Sequence, residues 1–132
     1  DRTLANYYRG KEAFDSNDFP AALNYLNKVT DLTDGMEAAE SRYLIAKMYY
    51  IKKELEIAER LCQYSIRENA NYPYWIAKCM ILQADISLSM GDTFKAGAAL
   101  EAIIESYKPK DDGIIEEARN KLQIVNVRGD DE

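Results

Sequence analysis

Three pairs of very small residues recur along the chain, each pair twelve positions apart: Gly10 and Ala22, Ala46 and Ala58, Ala84 and Ala96. Four positions before each second member stands an acid: Asp18, Glu54 and Asp92. Four positions after it stands an apolar residue: Leu26, Cys62 and Leu100. A small side chain on each of two helices lets their backbones cross closely, and a larger one there would overpack the crossing. An acid ahead of the second helix suits its N-terminus. The same helix–turn–helix unit is therefore written three times, and such units stack into an array in which each contacts its neighbours.

The local pattern fills in this outline. In the first unit, Tyr7, Gly10 and Phe14 fall at helical spacing, and Asn17-Asp18 marks a turn. Pro20 sits in the first turn of the next helix, where its missing N–H costs nothing. Ala22, Leu26, Val29 and the adjacent leucines form that helix's apolar face, and Thr33-Asp34-Gly35 ends it. The second unit runs from Met36 to Asn69, with Lys52-Lys53-Glu54 as its joint. The third begins at Pro73 with a strongly apolar helix through Leu88, turns at Gly91-Asp92, and stops near Tyr107-Lys108-Pro109. A seventh helix, over 112–127, carries Ile114, Ile115, Ala118, Leu122 and Val125 on one face and charges on the other, as a terminal cap needs. The pattern predicts an all-α domain over 1–127, with units at about 4–34, 36–69 and 73–107, the capping helix, and a polar tail at 128–132. No segment alternates as a strand.

Composition excludes several classes of function. Net charge is −6 with no run of Lys and Arg, which disfavours nucleic-acid binding. No stretch reaches the ~20 apolar residues of a membrane span, so no direct membrane insertion is expected. The chain has no histidine, which removes the usual general base and any Cys/His zinc site; no metal, cofactor or enzymatic activity is expected. Glu37/Glu40 and Glu56/Glu59 are carboxylate pairs at i, i+3, as solvated helix faces show. Cys62 and Cys79 are either buried apolar thiols or a disulfide. The chain starts at Asp1 without an initiator Met, as a processed protein or a fragment would.

Ala22 and Ala58 are 36 positions apart, and Ala58 and Ala96 are 38. This spacing, with Ile45-Ala46-x₂-Tyr49 and Ala58-x₃-Cys62 in the second unit, resembles the tetratricopeptide repeat, TPR, whose period is about 34 and whose pattern runs W-x₂-L-G-x₂-Y…A-x₃-F…P. The chain departs from the pattern at the tryptophan, where Asn6, Arg42 and Met80 stand, and in its longer linkers. Gly91-Asp92-Thr93-Phe94-Lys95-Ala96, followed by Ile103-Ile104-Glu105-Ser106-Tyr107 and a capping helix, is similar to the C-terminal end of large bacterial TPR proteins, some of them in the cell envelope on its periplasmic side.

The resemblance implies a right-handed superhelix of three antiparallel helix pairs plus the cap, with the first helices lining a concave groove. That groove would present Tyr7, Lys11 and Phe14 from the first unit, Tyr43, Lys47 and Tyr50 from the second, and Lys78, Ile81, Asp85 and Leu88 from the third. Rings supply apolar contact, hydroxyls hydrogen bonds, and lysines a match for carboxylates. The implied partner is a protein or peptide segment. The alternatives are that these tyrosines pack against neighbouring helices, and that the array stacks on upstream repeats or self-associates. The asparagines of a C-terminal carboxylate clamp are absent.

Overall fold

The computed structural model describes residues 1–131. Among them are seven helices and no strand: α1 Arg2–Asp15, α2 Phe19–Leu32, α3 Met36–Ile51, α4 Leu55–Glu68, α5 Pro73–Ser89, α6 Thr93–Ser106 and α7 Ile114–Asp130.

The joints within the three pairs share one geometry. The middle residue of each, Asn17, Lys53 or Gly91, takes a left-handed conformation with φ of 60°, 64° and 82°. The following N–H then reaches back five residues: Asp18 to the Ala13 carbonyl, Glu54 to Tyr49 and Asp92 to Ser87, each at 2.9 Å. This closes the preceding helix and satisfies carbonyls that would otherwise be orphaned. The acid then starts the next helix. Asp18 accepts from the Ala21 N–H at 3.3 Å and Asp92 from the Lys95 N–H at 2.9 Å. Glu54, one methylene longer, makes no such bond.

The small-residue crossings are tight. Ala22, Ala46, Ala58 and Ala96 are fully buried, as are Leu26, Cys62 and Leu100. A methyl group on Gly10 would lie 2.5 Å from Leu26 Cδ2, so α1 approaches α2 only because position 10 has no side chain. Apolar side chains gather in three clusters, each bridging consecutive units: Ala22 and Leu26 with Ile45 and Met48; Ala46, Ala58 and Cys62 with Leu82 and Ile86; Ala84, Ala96 and Leu100 with Ile114, Ala118 and Val125. No pair completes its core alone.

Each helix packs on the next along the chain. The odd-numbered helices also touch one another in sequence, α1 on α3, α3 on α5 and α5 on α7, whereas no even-numbered helix touches another. A polar tie supplements the apolar clusters. Arg42 is buried on α3 and donates to Asn69 Oδ1 at 2.8 Å and to Asp34 Oδ1 at 3.2 Å; the buried Asn69 amide donates to the Ala39 carbonyl at 3.3 Å. It joins the α2–α3 linker to the α4–α5 linker.

One detail differs from the sequence expectation, and one alternative left open by the sequence is decided. Helix α7 continues through Arg128, Gly129 and Asp130, which were expected in the polar tail; they are exposed but helical. No proline interrupts this stretch, a single Gly costs a helix only about 1 kcal/mol, and Arg128 in the last turn suits the C-terminal dipole. Glu132 lies outside the described residues. Cys62 and Cys79 are both free and buried, so no disulfide joins them. Burial pushes the Cys79 thiol up to about 12 and raises Cys62 as well.

Candidate face on the odd-numbered helices

The odd-numbered helices place most of the expected groove residues in one row, which divides into three zones. At the α1 end, the Tyr7 hydroxyl donates a hydrogen bond to Glu40 of α3. Lys11 Nζ lies 3.1 Å from Glu40 Oε2, 3.2 Å from the Tyr7 oxygen and 4.8 Å from the Tyr7 ring centroid. Burial and the bond to Glu40 raise the Tyr7 pKa. Burial opposes the charge of Lys11, but its bonds to Tyr7 and Glu40 outweigh that and hold the ammonium above its usual value. Phe14 is half-buried at the edge of this zone. Its ring lies 5.8 Å from that of Phe19 and packs against the Leu26–Met48 cluster, because the tight α1–α2 joint folds the two rings together.

At the α7 end, the cap closes over the third unit. Lys78 pairs with Glu117 at 3.1 Å, and Asp85 accepts from Lys121 through both oxygens at 2.8 and 2.9 Å. Ile81, expected on the groove, is instead buried in the core with Ala77, Leu100 and Ile103. Helix α5 is apolar nearly all round, and its seven buried positions leave only a narrow polar stripe at Lys78 and Asp85. Leu88 packs partly against the same core, beside a crevice shared with Asp85, Lys121 and Ile124.

Between these ends lies the α3–α5 zone. The Tyr43 ring meets Trp75 at 5.6 Å, with Lys78 Nζ 5.5 Å from the same ring. Burial chiefly, aided by Glu117, raises the Tyr43 pKa. One turn further, Lys47 Nζ lies 5.6 Å from the Tyr50 ring centroid. Lys47 is half-buried, and among the described residues it forms no hydrogen bond or ion pair. Burial lowers its pKa, and the nearby Asp85 carboxylate only partly offsets this. Beyond Tyr50 a hollow of about 500 Å³ opens between Ile51, Leu55 and Ser89. A larger cleft, about 650 Å³, lies away from this row at the α6–α7 corner around Tyr107, Asp112 and Arg119.

Of the eight site residues expected from sequence, Tyr7, Lys11, Lys78 and Asp85 are engaged by other helices. Tyr43, Lys47 and Tyr50 form the centre, and Phe14 is half-buried against the Leu26–Met48 cluster. Sequence reasoning missed Glu40, Trp75, Glu117 and Lys121. Glu40 carried a signal, since 40, 43, 47 and 50 share one helical face. Among the described residues, no group of three or more His, Cys, Asp or Glu is placed to hold a metal ion. No helix among them is long and apolar enough to cross a membrane. Neither models of known protein families nor curated proteins match this chain.

Proposed function

We propose that this chain is a TPR-like superhelical interaction module that binds an extended protein segment along the odd-numbered helices, without covalent chemistry. The observation that carries this reading is the one-sided contact pattern. Odd helices touch one another and even helices do not, which makes the odd side the narrower, inner wall of a curved array. A preformed wall with aromatic rings and an unengaged lysine at its centre suits binding with little loss of side-chain freedom. The test is capture of a partner by the immobilised chain, compared with a Lys47→Glu/Tyr50→Ala variant of unchanged helical content. Capture by the parent and not the variant supports the reading; equal capture removes the site from this face.

A second reading is that the array serves as a structural segment that stacks on further helices or on itself. It is favoured by apolar residues exposed at both ends, Leu4 and Tyr8 on α1 and Ile124 and Val127 on α7. Sedimentation of the isolated chain tests it, since a monomer at high concentration removes self-association.

A further inference from the structure

We infer that the α3–α5 zone selects a segment with an internal acidic residue, whose carboxylate docks on Lys47 while an apolar side chain two residues away fills the hollow beside Tyr50. This inference rests on the groove reading above and adds the chemistry of the partner.

Three lysines were candidates for meeting a carboxylate, and the structure separates them. Lys11 is neutralised by Glu40 and Lys78 by Glu117. The neighbouring Asp85 is engaged through both oxygens by Lys121, and no bond joins it to Lys47. Three ammonium groups, on Lys47, Lys78 and Lys121, face two carboxylates, on Asp85 and Glu117. The α3–α5–α7 zone thus keeps one surplus positive charge in a chain of net charge −6. The Lys47 ammonium, on a half-buried side chain, rests against the Tyr50 ring and has no carboxylate partner. An incoming carboxylate supplies that partner in a partly desolvated site, where charge-assisted bonds are strong.

The spacing follows from geometry. Lys47 and Ile51 are one helical turn apart, about 5–6 Å, and an extended chain covers that in about two residues. The hollow at that distance is bounded by Tyr50, Ile51 and Leu55, with Lys53 and Ser89 at its edge, and is mostly apolar. On the other side of Lys47, the Tyr43–Trp75 pair offers a surface for residues continuing past the carboxylate. Surface on both sides favours an internal Asp or Glu over a chain terminus.

The experiment is selection from a phage-displayed library of short linear peptides, fused so that no free C-terminus is offered, on the full 132-residue chain. Enriched peptides are then measured by fluorescence anisotropy against the parent, Lys47→Ala, Lys47→Arg, Tyr50→Ala and Lys28→Ala. The expected result is enrichment of Asp or Glu two residues from Leu, Ile or Phe. Lys47→Ala then weakens binding about 10- to 100-fold, Lys47→Arg retains most of it, and Lys28→Ala, on the even-numbered helix α2, leaves it unchanged. Enriched peptides without an acid that depend on Tyr50 and not on Lys47 overturn the inference and leave the groove standing. Recovery of binding only when a free C-terminus is offered also overturns it. No enrichment in either format, or binding indifferent to both Lys47 and Tyr50, overturns the groove reading as well.

Discussion

The second and third helix pairs share one plan and the same alanines at their crossings, yet the second carries the weaker residue at three other matching positions. Where the α5–α6 joint has Gly91 at positive φ, the α3–α4 joint has Lys53, whose Cβ is strained there. Asp92 caps α6 with its side chain, while Glu54 leaves α4 uncapped. Leu100 fills a core slot that Cys62 fills with less apolar volume. The second pair is nevertheless as regular as the third. It is flanked by packed helices on both sides and crossed by the Arg42–Asn69 tie, so neighbours supply what its local sequence lacks. In a repeat array a poor local signal survives in the middle, where two interfaces support it.

Substitutions break or sharpen this contrast, and the first has the largest effect. Leu100→Ala should cost about 2–5 kcal/mol in chemical denaturation, because the slot is fully buried and its wall is shared with the cap. A loss below 1 kcal/mol would show that the third pair does not depend on its larger core residue. Asn69→Ala should cost about 1.5–3 kcal/mol by the same measurement, since it strips a hydrogen bond from a buried guanidinium. An unchanged midpoint would mean that the tie does not compensate the second pair. The joint residues should move in opposite directions. Gly91→Ala meets no atom within 4 Å but is strained by its φ and should lower stability by about 1 kcal/mol. Lys53→Gly should raise it by about 0.5–1 kcal/mol. Equal signs for the two would remove the shared geometry as their cause. The smallest effect is Glu54→Asp, a gain of about 0.5 kcal/mol if the shorter carboxylate reaches the free N–H groups of α4. Thermal melts of the single variant and of the Lys53→Gly/Glu54→Asp pair would show whether the two gains add.

How much was legible follows the same division between local and distant. Each joint and crossing is set within about twelve residues, so Gly10, Ala22, Asp18, Gly91 and Asp92 announce the helix pairs directly. The row Tyr43, Lys47 and Tyr50 was also legible, because one helix fixes their common face. The fate of the lysines was not. Glu40 reaches Lys11, Glu117 reaches Lys78 and Lys121 reaches Asp85 from 29 to 39 residues away, through the placement of whole helices. In sequence these partners look like ordinary surface charges. Ile81 was misplaced because α5 is apolar on too many sides for spacing to choose its inner face. Arg42 is a buried charge that its own helix face does not explain; Asp34, eight residues before it, and Asn69, 27 residues after it, supply its partners.

The contact pattern also has a kinetic side. No helix touches another more than two places along the chain, so no tertiary contact joins the two ends of the array. Helical arrays built from contacts between neighbouring units fold faster than chains that must first pair remote segments. The terminal helices have fewer neighbours than α3 and α5, so backbone amides in α1 and α7 should exchange with solvent first and those of α3 to α5 last.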